Sequence, residues 1–185
     1  MDPYLIEYKS ISVSWFLFLT VVAIILANFM SKFKTQELLG AETQEDLNFN
    51  LLIAGIIGSR LLYVLLNLEA YQENWFAVVE LSHLTLNFTG ALLGGTLVLF
   101  YFSKQENISF LRLSARYSNI TASVLIIASW VYYFEGYLSL LQNLLLALWW
   151  ALIAATQFLI LDYEHSEKYG VALFIIAYGV VRIII

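Results

Sequence analysis

The chain has 185 residues, of which 61% are hydrophobic and only 12% charged, with a formal net charge of −5. A soluble domain has nearer about 45–50% apolar residues, so this composition points to an integral membrane protein. No basic patch suggests a nucleic-acid partner. The absence of cysteine excludes a disulfide, a thiolate nucleophile and a Cys-based metal site within these residues.

Six apolar segments follow one another, at about 10–31, 47–68, 84–103, 117–134, 137–161 and 169–185. Each has the length of a helical span, and a span must satisfy its backbone internally, so helices are expected throughout. The fold class expected is all-α: a single integral membrane domain, a polytopic bundle of about six transmembrane helices. The one proline, Pro3, lies outside every segment. The first segment is too long for a signal-peptide core and lacks a basic leader, so it reads as a retained helix. Lys32 and Lys34 follow it; Lys104, Arg112 and Arg116 separate the third and fourth segments; Lys168 separates the last two. The opposite side carries only Lys9. The positive-inside rule then makes the odd-numbered loops cytoplasmic and turns both termini outward. Residues 69–83, EAYQENWFAVVELSH, read as an amphipathic helix in the interface, or as an element gating a substrate.

Polar residues inside the spans converge on one depth. At 1.5 Å per residue, Arg60 and Arg182 each lie roughly 20 Å above the cytoplasmic start of their segments. Asn87 and Thr89 lie roughly 5–8 Å below the outer surface, a similar height. Trp130, Tyr132, Tyr133 and Glu135 end the fourth segment in the same layer. An arginine at a helix centre costs roughly 2.5–3.5 kcal/mol, so something should offset it. Arginine binds phosphate well, and an outer-leaflet phospholipid headgroup is the anion at that depth. The expectation is that Arg60 faces the bundle interior and holds a lipid phosphate together with Arg182. The plainer alternative is that Arg60 snorkels, or pairs with Glu135 or a helix end. Gly90 and Gly94 form a GxxxG spacing, and with Gly55 and Gly58 they are read as permitting close helix approach.

The order of these features resembles the bacterial phosphatidylglycerol–prolipoprotein diacylglyceryl transferases. "MDPYLIEYKSISVSWF" is similar to that family's start, "GIIGSRLLYVLLN" to its Gly-x-Arg-x-x-Tyr-Val-Leu pattern, and "LNFTGALLGG" to its "SFHGGLIG" stretch. "ISFLRLSARYSN" resembles the loop before its fourth helix, and "EKYGVALFIIAYGVVRIII" resembles a late helix containing Leu-Tyr-Gly-x-x-Arg. The family moves a diacylglyceryl group from phosphatidylglycerol to a Cys thiol of a preprolipoprotein. The resemblance therefore implies phosphatidylglycerol and preprolipoprotein as partners, the bacterial cytoplasmic membrane as location, and no cofactor or metal.

Residue by residue, Arg60, Tyr63 and Arg182 match family positions. Elsewhere the pattern departs. Phe16 stands where the family has Tyr after its interfacial Trp. Thr89 replaces the His of His-Gly-Gly, and Ala91 its second Gly. Against the hallmark Gly-Arg-x-Gly-Asn-Phe-x-Asn-Gly-Glu, "ASWVYYFEGY" puts Ser129 for Arg, Tyr132 for the first Asn and Tyr137 for Glu, keeping Gly136. The extracytoplasmic head insert and the family's last helix have no counterpart here. Neither His83 nor His165 cleanly replaces the missing His, although His83 lies on the outer side. The candidate catalytic residues are Arg182, Arg60 and Thr89, and the candidate lipid-binding residues are Arg60, Tyr63, Asn87, Tyr132, Glu135 and Arg182. Thr89 cannot act as a base near neutral pH without help. Three readings follow: a transferase, a degenerate member that binds lipid or lipoprotein without turnover, and an unrelated transporter-like or accessory membrane protein.

Overall fold

The computed structural model describes residues 4–8, 11–72, 85–161 and 166–184. They form two compact units, Met1–Glu37 with Leu111–Ile185, and Leu38–Phe110. Each is described by itself.

The first unit opens with an antiparallel pair, β1 (Tyr4–Tyr8) and β2 (Ile11–Ser14), in register Tyr8↔Ile11, Glu7↔Ser12 and Ile6↔Val13. The helix expected from residue 10 therefore starts later, as α1 (Trp15–Thr35). Ser14 sets that start: its Oγ accepts from the Leu17 amide at 3.2 Å, an N-cap bond. Lys32 and Lys34 occupy the last turn of α1, where cations complement the helix dipole.

The α4 helix (Phe110–Ala128) begins seven residues before the expected position 117 and breaks at Ser129 ahead of α5 (Trp130–Phe134). Ser129 Oγ turns back onto the Ile126 carbonyl at 3.0 Å. After α5 the chain reverses through Gly136 at φ 81°, a left-handed conformation that glycine adopts without penalty. The reversal lets the amides of Tyr137 and Leu138 both donate to the Tyr132 carbonyl, at 2.8 and 3.1 Å. Trp15 stacks on Phe134, with ring centres 3.9 Å apart, fixing the start of α1 against the end of α5.

Two long helices complete this unit, α6 (Leu140–Leu161) and α7 (Glu167–Ile184). Buried amides tie its interior together. Asn119 Nδ2 donates to the Ala154 carbonyl at 2.8 Å, while Gln157 Nε2 donates to Ser118 Oγ at 3.0 Å and to the Gly170 carbonyl at 2.8 Å. Gly170 packs on Leu161 and Ala115, where a side chain would crowd.

The second unit is an antiparallel helix pair, α2 (Ala41–Leu66) and α3 (Phe88–Gln105), with a short 3-10 turn at Leu68–Tyr71. The pair meets through small residues. A Cβ on Gly58 would strike the Gly90 carbonyl oxygen, one on Gly90 the Gly58 carbonyl oxygen, and one on Gly94 the Ala54 carbonyl oxygen. The close approach expected for Gly58, Gly90 and Gly94 is present. Gly55 takes no part, having nothing within 4 Å, and Ala54 holds the place assigned to it. Ala54 and Gly58 are four apart, as are Gly90 and Gly94, so each helix offers one small-residue ridge.

The outer faces are apolar, as in a protein whose solvent is lipid: Ile25, Phe29, Leu97, Leu148 and Leu159 are all exposed. Three helices, Trp15–Thr35, Ala41–Leu66 and Leu140–Leu161, are each long and apolar enough to cross a membrane. The chain is an all-α, multi-pass membrane helix bundle. Of the stretch 69–83, residues 69–71 lie in the 3-10 turn; residues 73–84, and with them His83, lie outside the described residues, as does His165.

Candidate functional site

Two polar clusters interrupt the apolar faces, one in each unit. In the second unit the centre is Arg60, on the second-last turn of α2 and buried. Its Nη1 donates to the Thr85 carbonyl at 3.3 Å. Its guanidinium carbon lies 5.3 Å from the Tyr71 ring centre and 5.9 Å from that of Tyr63. A hydrogen bond to a charged donor contributes about 1.5–3 kcal/mol and a cation–π contact about 0.5–2. These sums are of the order of the insertion cost, so the protein itself offsets the buried charge. Tyr63, one turn beyond Arg60, was singled out from the sequence. Tyr71 was not, because it lies past the end of α2 in a stretch that reads as surface.

Asn87 is adjacent through the backbone. Its amide donates to the Ser59 carbonyl at 3.1 Å, bringing the start of α3 beside the Arg60 turn. Its side-chain oxygen caps α3, accepting from the Thr89 amide at 2.9 Å and the Gly90 amide at 3.4 Å. Asn87 therefore has an architectural duty beyond the lipid role expected of it. Thr89 is the second residue of α3, in the same cluster. The second unit thus gathers Arg60, Tyr63, Asn87 and Thr89.

In the first unit a groove of about 760 Å³ opens between the start of α6 and the end of α7. Leu145, Leu146, Val180 and Val181 form apolar walls, with Arg182, Tyr132 and Gln142 among the polar lining. The Tyr132 hydroxyl is within electrostatic reach of Arg182, Glu135 and Tyr178. So α5, its following turn and α7 bring together Tyr132, Glu135 and Arg182, three residues expected to share a layer. Arg182 is exposed in the groove and has no hydrogen bond or ion pair among the described residues. Trp149 Nε1, in the same wall, is buried and has no acceptor among the described residues. An orphaned donor of this kind costs about 1–3 kcal/mol, which a ligand oxygen would relieve. Trp149, Gln142 and Tyr178 escaped sequence reasoning because each sits in a run that reads simply as span. Arg60 and Arg182 belong to different units, and each cluster stands on its own geometry.

Comparison with known proteins adds the family. The prolipoprotein diacylglyceryl transferase family model matches residues 3–139. Curated phosphatidylglycerol–prolipoprotein diacylglyceryl transferases are among the relatives. The one from Listeria monocytogenes is 30% identical over 132 residues, covering 69% of this chain and 45% of that protein. The Thermotoga maritima protein is 28% identical over 116 residues, covering 62% and 39%. The Synechocystis protein is 26% identical over 109 residues, covering 58% and 38%. Each match therefore covers less than half of the curated relative. The family match ends before α6, so Arg182 and the α6 and α7 walls of its groove lie beyond it, while Tyr132, Tyr137 and Leu138 lie within it. The chain belongs to the prolipoprotein diacylglyceryl transferase family.

Proposed function

We propose that this family member binds phosphatidylglycerol in the outer half of the bacterial cytoplasmic membrane, its N-terminus outward, and transfers the diacylglyceryl group to a lipobox Cys. Arg182, with Tyr132 and Glu135, is a phosphate ligand in the first unit, and Arg60, with Tyr63 and Asn87, is one in the second. The observation that carries the reading is the groove beside α7, where an unpaired Arg182 and the orphaned Trp149 Nε1 share apolar walls. This pattern suits an amphiphile with an anionic head and ester carbonyls. Taking the Gln157–Gly170 bond as the level at which α6 and α7 cross, Trp149 is eight residues along α6 and level with Tyr178. That is four residues, or about 6 Å, below Arg182. A phosphate at Arg182 would put a glycerol ester within reach of Trp149.

Transfer forms a bond between the Cys sulfur and the glycerol carbon, breaks that carbon's bond to the phosphate oxygen, and releases glycerol phosphate. Cations beside the phosphate stabilise the departing charge. The thiol must also lose its proton, and a base assists that step. Thr89, at the position where the motif it resembles has His, supplies none. That single substitution favours a second reading, in which the chain holds the lipid, or a lipoprotein, without turnover.

The test is a single-turnover assay with labelled phosphatidylglycerol and a lipobox peptide, using a Cys→Ala peptide as control. Cys-dependent product supports transfer. Lipid bound without product, and released by Arg182→Gln, supports the second reading. No lipid bound at all refutes both.

A further inference from the structure

At the end of the first unit opposite Arg182, the basic side chains of Lys34 and Arg116 come together, with Arg112 one turn away on the same face of α4. Lys34, in the last turn of α1, donates to Asn119 Oδ1 and lies over the Phe158 ring at 5.4 Å. The Asn119 amide is pinned on its other side by Ala154, so it holds the ammonium in place. Arg116 precedes Asn119 by three residues on α4, and Arg112 precedes Arg116 by four, so all three share one helix face. Lys34 and Arg116 are close enough for mutual repulsion. Neither arginine has a hydrogen bond or ion pair among the described residues, and Asn119 is the only hydrogen-bond partner there for Lys34.

Like charges at this spacing repel, and the half-burial of Lys34 and Arg116 strengthens the effect. Among the described residues no anion faces them. The depth suggests the source. Lys34 lies in the last turn of a span-length helix, and Phe33 beside it in sequence and Phe158 beneath it are exposed apolar side chains. An aqueous phosphate gains nothing from such neighbours, whereas a phospholipid lays its chains on them and its headgroup among the cations.

We propose that Lys34, Arg116 and Arg112 bind the phosphate of an anionic phospholipid headgroup at the membrane face opposite the Arg182 groove. The site is separate from the transferase reading and does not depend on it. Its lipid is structural, clamping α1 to α4 and leaving unreacted.

The experiment is native mass spectrometry of the full chain in detergent micelles. An Arg60→Gln/Arg182→Gln background keeps the other clusters from contributing. Dioleoylphosphatidylglycerol, dioleoylphosphatidylcholine and inorganic phosphate are added in separate arms. The anionic lipid is expected to bind, and Lys34→Gln and Arg116→Gln each to weaken it about tenfold, the loss of one charged contact. Arg116→Lys, which keeps the charge and guards against a merely misfolded variant, should retain most of the binding. Asp162 and Glu164 are outside the described residues, and Asp162→Asn/Glu164→Gln should leave binding equal or tighter. Equal binding of phosphatidylcholine, equal protection by inorganic phosphate, no effect of the basic substitutions, or a tenfold loss on removing the two acids would each overturn the proposal.

Discussion

Gly90→Ala is the most direct perturbation of the α2–α3 crossing. The added Cβ would overlap the Gly58 carbonyl oxygen, and would sit 2.7 Å from Leu62 Cβ and 2.9 Å from the Gly58 carbonyl carbon. Two of the three atoms are backbone, so no rotamer change relieves the clash and the helices must separate. Overpacking of this kind costs about 1–3 kcal/mol. The same change at Gly55, with nothing within 4 Å, adds no contact and gains up to about 1 kcal/mol of helix propensity. The two variants should differ by about 1–4 kcal/mol, which denaturant titration in mixed micelles can resolve. Separation would also strain the bond from Asn87 to Ser59, so Gly90→Ala should weaken lipid binding at Arg60 while Gly55→Ala does not. Equal stability of the two variants would refute the close crossing.

Three further predictions rest on single residues. Asn87→Ala removes the cap of α3 and should cost about 0.5–2 kcal/mol in the same titration, with Asn87→Asp restoring most of it because a carboxylate also accepts from the Thr89 amide. Gln157→Leu deletes the donations to Ser118 and Gly170; bonds of this type in membranes contribute about 0.6–2 kcal/mol, so α6 and α7 should loosen by about 1, read as faster amide exchange. Gly136→Ala meets no atom within 4 Å but must hold φ near 81°, so it should cost about 1–2 kcal/mol by torsion alone and lower phosphatidylglycerol affinity through the Tyr132–Tyr137 turn.

Hydropathy made the six long helices legible because a lipid-facing helix must be apolar nearly all round. It said less about their ends. α4 starts at Phe110 because Leu113 and Tyr117, four apart, bury one face while Arg112 and Arg116 stay off it; a hydropathy window reads those arginines as loop. The strand pair before α1 was hidden for the opposite reason, since Ile11 and Val13 are as apolar as the helix they precede. In the site, depth counting brought Tyr132, Glu135 and Arg182 into one layer because all three sit at helix ends, where rise per residue is a good ruler. It could not find Tyr71, which reaches Arg60 only after the chain turns out of α2. Nor could it find Trp149, whose significance lies in an acceptor it lacks.

Thr89→His tests how much a base at this position adds to transfer by this chain. Position 89 is the second residue of α3, one bonded step from the Arg60 turn through Asn87 and Ser59. A histidine there would sit at a helix N-terminus, whose dipole disfavours the imidazolium. The ring would remain neutral near pH 7 and able to accept a proton from an incoming thiol. General-base assistance contributes about 10²–10⁴-fold, so single-turnover product should rise by at least about 10² over the parent chain. The rise should vanish with the Cys→Ala peptide and with Arg60→Gln. If Thr89→His binds lipid as the parent does and forms no more product, the lost hallmark positions, Ser129 foremost, matter as much as the base. Ser129→Arg would then be the next substitution to combine with it.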